Sequence, residues 1–253
     1  MSGADMAPDS GLPEANSVGK DGHPLVPVAE GYERWASVYD DTPNPLLARE
    51  ERYLLPMLPD LHKKSILDSA CGTGRWLERL IALGSGYGVG IDSSMAMLRV
   101  AGMKKAASER LRLVRASCEN LPFSTAAFDI AICSFAIGHI ADLTCMAREL
   151  ARVTRPDADV FVSDLHPEAY TRGWRVGFRL GTIAVQIETR YRSAGDIIHA
   201  FCSNGFNCHA KEALWLGQPE KPFFARASKS DFFEQACRIP AVLVCHFRRP
   251  DSG

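Results

Sequence analysis

The chain has 253 residues, of which 46% are apolar and 23% charged, and its formal net charge is -1. That length suits one large α/β domain or two small ones, and the balanced charge disfavours a protein that coats nucleic acid with a basic surface. The longest uncharged apolar stretches, 80–91 and 130–141, are too short for the roughly 18 residues of a membrane span, so no transmembrane helix is expected.

Residues 1–30 are rich in Ala, Gly, Pro, Ser and Asp, with Lys20 the first basic residue. They lack the apolar core of a signal peptide and read as a disordered tail. The eight cysteines, at 71, 118, 133, 145, 202, 208, 237 and 245, form no C-x-x-C pair and sit mostly in apolar surroundings. They read as small buried hydrophobes in a reducing compartment, and the expected location is cytoplasmic. His199, Cys202, Cys208 and His209 cluster in sequence, but their spacing matches no standard zinc pattern, so no metal is expected.

A single domain is predicted over 31–250. Tyr32, Trp35 and Tyr39 lie near helical spacing, and a second amphipathic helix spans Leu46–Leu58; together, 31–60 form N-terminal cap helices. Strands and helices then alternate. Strands are expected at Ser65–Asp68, Gly88–Asp92, Leu111–Ala116, Phe128–Phe135 and Asp159–Asp164. Helices are expected at Arg75–Leu83, Ser94–Ala107 and Leu143–Val153. A helix at Ala194–Asn204 and strands at Asn207–Leu216 and Pro240–Phe247 follow, with 217–239 a long connection. Residues 166–193 break the rhythm and read as an insertion holding Tyr170, Trp174, Arg175, Phe178 and Arg179. It is either an amphipathic helix on the sheet edge or a lid that selects the substrate. The alternation implies a doubly wound α/β fold: a mostly parallel seven-stranded sheet with helices on both faces and its last strand antiparallel.

In such sheets ligands bind beyond the carboxyl ends of the strands. The loops leaving those ends are 68–75, 92–95, 117–122 and 134–139. The first, Asp68–Gly74, reads DSACGTG. A dinucleotide fingerprint needs a small residue at 77, which is Leu77, and the acid at Asp68 repels a pyrophosphate but suits a cation. Asp92 ends the next strand, where a carboxylate accepts bonds from ribose hydroxyls. An amino group, a ribose and no phosphate describe S-adenosylmethionine.

The segment Ile66–Gly74 resembles the first motif of class I S-adenosylmethionine methyltransferases, Gly90–Leu98 their second, and Ala116–Phe123 with Phe128-Asp129 their third. Arg155-Pro156 is similar to their turn before the fifth strand. The subgroup most resembled is the type 11 set, similar to quinone-biosynthesis enzymes, whose N-terminal helix Trp35–Asp40 is similar to. The resemblance implies roles residue by residue. Asp68, with the loop carrying Ala70, Gly72 and Gly74, would hold the methionine end. Asp92 and Ser93 would meet the ribose, with Met97 near the adenine. Ser117, Cys118 and Glu119 would line the adenine pocket. Ser134 would pass beneath the sulfonium, and Tyr39 would close over the cofactor. Ala70 stands where the family has its first glycine, and Ser117 where many members carry an Asp.

Two histidines are candidate bases. His139, in FAIGHIAD, matches a His common in the type 11 pattern and titrates near neutrality; it either takes a proton or orders its loop. His166, in VSDLHP, lies with Asp164 at the same edge and is either a base, a substrate ligand or a turn residue. Glu188 and Tyr191 either face substrate or solvent. The expected function is methyl transfer to a small molecule, aromatic or quinone-like, by in-line displacement. Two other readings use the same fold: a non-catalytic binding or scaffold protein, and a methyltransferase of RNA or protein, which the neutral charge disfavours. No nucleic-acid partner is expected, and the sequence leaves the oligomeric state open.

Overall fold

A computed structural model of the chain describes Gly19, residues 22–105 and residues 110–250. Its main sheet contains β2 (Ser65–Ser69), β3 (Tyr87–Asp92), β4 (Leu111–Arg115), β5 (Phe128–Ser134), β6 (Thr154–Leu165), β9 (Asn207–Trp215) and β10 (Pro240–Arg248). The spatial order is β4-β3-β2-β5-β6-β10-β9. The first five run parallel, and β10 pairs antiparallel with both β6 and β9. The sheet expected from the sequence, with its last strand antiparallel, is the sheet observed.

Strand pleating explains the two cores. Along β5, Ile130 and Ile132 point to one face while Ala131 and Cys133 point to the other, the period of two that a strand buried on both sides requires. Strand β10 divides its residues the same way, Val242 and Val244 against Leu243, Cys245 and Phe247. One face is covered by α5 (Leu143–Val153) and α7 (Ala194–Cys202) through Met146, Leu150, Ile197 and Phe201. The other is covered by α2 (Pro45–Leu54) and α3 (Arg75–Ala82) through Leu54, Trp76 and Leu80. Helix α4 (Met95–Lys105) joins α3 and β4 in a smaller cluster through Leu98. Local signals set the helix starts: Asn44 precedes Pro45 and accepts from the amides of Leu46 and Leu47, and Asp142 accepts from those of Thr144 and Cys145.

The structure departs from the sequence expectation in three places. The end of the proposed tail is ordered: β1 (Leu25–Val26) precedes α1 (Val28–Trp35), whereas residues 1–18, 20 and 21 lie outside the described residues. The 166–193 segment is not the amphipathic helix that was one of its two expected forms. It forms the short α6 (Pro167–Thr171) and a hairpin of β7 (Gly177–Leu180) and β8 (Ile183–Ile187). Strand β1 adds in parallel to β8, making a second, three-stranded sheet of order β1-β8-β7. The 217–239 connection folds into α8 (Lys221–Arg226) and α9 (Phe233–Ala236), whose Phe224 and Phe233 pack under the main sheet.

The small sheet is joined to α1 by close packing. A Cβ on Gly31 would lie 2.7 Å from Ile187 Cγ1, so only glycine lets the helix approach β8 this closely. Val26, Trp35, Phe178, Val185 and Ile187 form the resulting core. Of the cysteine and histidine cluster, His199 and Cys202 lie on α7, Cys208 and His209 on β9, and the two thiols are exposed. Among the described residues no set of three or more such side chains is placed to hold a metal, and no helix is long and apolar enough to cross a membrane.

Candidate functional site

The loops at the carboxyl edge of the main sheet are fastened to each other by backbone bonds. After β2 the chain turns at Ala70, whose φ of 62° lies in the left-handed region. The Cys71 amide donates to the Ile91 carbonyl at 2.8 Å, and the Gly72 amide donates to Asp92 Oδ2 at 2.8 Å. Asp92 Oδ1 accepts from the Ser94 amide, also at 2.8 Å. Gly74, at φ 83°, makes the turn into α3, a conformation strained for any residue with a Cβ. Phe135, which follows β5, is also left-handed, at φ 53°. Both non-glycine left-handed residues at this edge, Ala70 and Phe135, line the same cavity.

Three carboxylates behind these loops are in different states. Asp68 is 2% exposed, and its Oδ2 has no hydrogen-bond partner among the described residues. Burial pushes its carboxyl up to about 7; the nearby Arg75 guanidinium opposes that rise and the Asp92 charge adds to it. Burial also raises Asp92, against the stabilising amides of Ser94, Gly72 and Ser93. Glu50 is fully buried on α2 yet fully partnered. It accepts from the Arg75 guanidinium, from Ser134 Oγ at 2.7 Å, from Ser163 Oγ and from Trp76 Nε1 at 3.3 Å. Arg75 also donates to Ser134 Oγ at 2.9 Å. The Glu50 cluster therefore ties α2 to the ends of β5 and β6 and holds Arg75 at the cavity.

The facing wall comes from α1 and the small sheet. Tyr32, Trp35 and Tyr39 stack as a group, with Tyr32 and Trp35 centroids 6.0 Å apart and Trp35 and Tyr39 4.7 Å apart. Trp35 also stacks on Phe178 of β7 at 5.4 Å. His139 sits in the turn after β5. Its Nδ1 lies 2.9 Å from the Glu188 carbonyl, which can only accept, so Nδ1 carries the proton. Its Nε2 lies 3.0 Å from the Tyr32 hydroxyl and is left to accept. Burial holds the His139 imidazole below its usual range, and Arg190 adds to the effect. Asp164 supports the turn from beneath by accepting from the Gly138 amide at 2.7 Å; burial pushes its carboxyl up to about 6. After α1, Asp40 accepts from Thr73 Oγ1 at 2.7 Å and pairs with Lys104 Nζ at 2.5 Å, pinning this wall to the glycine loop.

Between the two walls lies a cavity of about 230 Å³. Asp68, Ala70, Gly72 and Tyr39 line one end, and Asp92, Ser93 and Met97 continue it. Ser117, Cys118 and Glu119 line it from the loop after β4, and Ser134 and His139 from the loop after β5. Within that set Ser117 Oγ accepts from the Glu119 amide at 3.1 Å, while Glu119 accepts from the Asp142 amide at 2.6 Å. Cys118 Sγ accepts from Ser69 Oγ at 3.2 Å, and burial pushes its thiol up to about 12, so it is no nucleophile. Two expected residues are absent from the lining. Gly74 acts only as the turn into α3. His166 caps α6, its Nδ1 accepting from the Glu168 amide at 3.2 Å, and is not brought to His139.

Sequence reasoning missed Arg75, Glu50 and the contact of Tyr32. Glu50 had a signal: with Leu46 and Leu54 it falls on one stripe of α2, and an acid on an inward stripe needs a buried cation. No local pattern marked the Tyr32 hydroxyl, because its partner lies 107 residues away.

The geometry has counterparts among known proteins. A family profile described as a methyltransferase domain matches residues 66–157, the stretch from β2 into β6. That stretch, about a third of the chain, is similar to a methyltransferase domain. Over 102 residues, 38% of its length, the chain is 36% identical to the ubiquinone/menaquinone biosynthesis C-methyltransferase UbiE of Syntrophotalea carbinolica, covering 42% of that protein. Over 143 residues, 56% of the chain, it is 32% identical to the malonyl-[acyl-carrier protein] O-methyltransferase of Legionella pneumophila, covering 48% of it. The chain thus spans less than half the length of either curated relative. An S-adenosylmethionine dependent methyltransferase of Mesorhizobium loti shares the fold, with a TM-score of 0.65, 21% identity, and coverage of 81% of this chain and 100% of that one.

Proposed function

We propose that the chain binds S-adenosylmethionine in the cavity between the two walls and transfers its methyl group to a small-molecule acceptor. The observation that carries this reading is Asp68 Oδ2. A buried carboxylate oxygen with no partner is costly, and the amino group of the cofactor's methionine end offsets that cost. Asp92 retains lone pairs for ribose hydroxyls beyond the amides of Gly72, Ser93 and Ser94 that it already serves. In this reading Ala70 and Gly72 run along the methionine end, and Ser93, Met97, Ser117, Cys118 and Glu119 surround the ribose and adenine. Ser134 passes near the sulfonium, and Tyr39 covers it.

When bound, the cofactor supplies an electrophilic methyl on a positively charged sulfur. The chain's own residues supply position: Asp68 and Asp92 fix the two ends, and the walls exclude water, which makes the transfer effectively intramolecular. His139 is the candidate base. The names of the two curated relatives support a small-molecule acceptor, one a quinone precursor and one a carrier-bound acid. The hairpin β7–β8 is the part of the 166–193 insertion that acts as a lid, since its Phe178 braces the aromatic wall. The test is calorimetric titration with S-adenosylmethionine and with S-adenosylhomocysteine. Micromolar binding of both is expected. A folded protein that gives no heat with either overturns the reading and leaves a scaffold protein in its place.

A further inference from the structure

Tyr32 occupies the only lone pair that His139 has to offer. Because Nδ1–H is engaged by the Glu188 carbonyl, the imidazole accepts through Nε2 alone, and the Tyr32 hydroxyl donates to it at 3.0 Å. An acceptor molecule in the cavity reaches this base by displacing the hydroxyl or by passing its proton through it. The structure opposes displacement. The Tyr32 ring is held by Trp35 at 6.0 Å, Tyr39 at 6.5 Å and the edge of the His139 ring at 5.3 Å. Trp35 is itself clamped against Phe178. Helix α1, which carries Tyr32, is pressed onto β8 at Gly31. The hydroxyl cannot swing aside without moving α1 and the hairpin together.

We propose, building on the methyltransferase reading above, that Tyr32 is a catalytic proton relay to His139 and that the acceptor is a hydroxyl compound, a phenol or an enol, methylated at oxygen. The step balances as follows. A lone pair of the acceptor oxygen forms the new carbon–oxygen bond while the carbon–sulfur bond breaks and its electron pair returns to sulfur. The acceptor's proton passes to the Tyr32 oxygen as the Tyr32 proton passes to Nε2, leaving imidazolium, which later returns its proton to solvent. Thiols and amines need no such chain. A thiolate forms without a strong base, and an amine attacks through a lone pair it already has.

The surroundings of the pair agree with a relay. Tyr32 is held well above its usual range by burial and by the charges of Tyr39, Asp164 and Asp92, so it conducts a proton without standing as a tyrosinate. His139 faces Tyr32 from α1, Arg190 and the Glu188 carbonyl from the segment after β8, and Asp164 through the Gly138 amide from β6. Burial keeps its Nε2 unprotonated at neutral pH. Turnover therefore rises as pH increases through a value below the ordinary imidazole range and is flat above it.

The test compares wild type with Tyr32→Phe, which keeps the ring stack and deletes the hydroxyl. Hydroquinone, catechol, thiophenol and aniline serve as acceptors, with S-adenosylhomocysteine affinity measured in parallel by calorimetry. Methylation of the two hydroxyl compounds is expected, with kcat lower by about 10²–10⁴-fold in the variant, and KM and nucleoside affinity unchanged. A variant with wild-type kcat, or transfer to thiophenol or aniline alone, overturns the relay. If none of the four is methylated, nitrogen NMR of His139 in the S-adenosylhomocysteine complex decides. An Nδ1–H tautomer whose titration moves to higher pH in Tyr32→Phe upholds the pair, and identical titration in both proteins overturns it. Loss of nucleoside binding by wild type itself marks failure of the cofactor reading instead.

Discussion

The two walls of the cavity are built from different materials. The sheet-edge wall is made of short loops held by backbone amides, with one carboxylate, Asp68, left without a partner on one oxygen among the described residues. The facing wall is made of stacked rings on a helix and a hairpin, and the polar tip of Tyr32 is spoken for by His139. A wall of fixed dipoles with an unmet charge is arranged for one constant ligand. A wall of rings carrying the Tyr32–His139 pair is arranged, in the proposal above, for shape and for a proton. The same contrast separates Asp68 from Glu50: equally hidden acids, one unsatisfied and functional in prospect, the other saturated and structural.

The largest effect that sharpens this contrast falls on Glu50. Glu50→Ala leaves Arg75 without its buried partner and should destabilise the fold by about 3–5 kcal/mol in chemical denaturation. A loss below about 1 kcal/mol would show that Glu50 does not hold the walls together. Next is Asp68→Asn. It should weaken binding of S-adenosylhomocysteine by roughly 10- to 100-fold, the worth of one charge-assisted bond. It should also stabilise the unliganded protein above pH 7. With its carboxyl raised to about 7, folded Asp68 keeps a proton that unfolded Asp68 has already lost, so wild-type stability falls as pH rises from about 4 to 7. The slope should shrink in the variant, leaving the part that the raised Asp164 and Asp92 carboxyls contribute. By the same sign, wild-type affinity for the cofactor's ammonium should weaken toward tenfold per pH unit below about 7, since a proton competes for the same oxygen.

A smaller effect is expected from Asp92→Ala, roughly tenfold in nucleoside affinity. Binding unchanged in the folded variant would remove Asp92 from the ribose. The smallest is Ala70→Gly. Ala70 is left-handed at φ 62°, so glycine should relieve about 1 kcal/mol of backbone strain, raising the denaturation midpoint. A destabilised variant would mean that the Ala70 methyl, not its backbone, matters to the loop.

Legibility in the sequence followed the range of the interaction. The main sheet was readable because β5 and β10 announce themselves by apolar runs, and the glycine loop because its residues are contiguous. The sheet-edge wall was read almost completely for the same reason: Asp68, Asp92 and Ser117 each end or follow a strand. Of the facing wall, the helix carrying Tyr32 and Trp35 was expected, but the small sheet beneath it was not. Strand β1 is two residues long, and its pairing with β8 lies far away in the chain. The alternation in Ile183–Ile187 was masked by the polar segments on either side. His166 illustrates the opposite error. It lies at the correct edge of the correct strand, but Pro167 starts a helix there and turns the imidazole into its cap. Ala70 and Phe135 could not be read as left-handed, because neither residue type favours that conformation and the surrounding fold imposes it.

The pairing of β1 with β8 also sets an order of events during synthesis. Every loop of the sheet-edge wall is translated by residue 141, and a chain of that length already carries β2 through β5. Leu25–Val26 finds its strand partner only after Gln186 and Ile187 have been made. Until then α1 has no β8 to rest on, and Tyr32 is without the brace that Phe178 gives to Trp35. The ligand-facing loops are thus complete well before the cavity can close, so a nascent chain offers the cofactor an open cleft first and a covered site last.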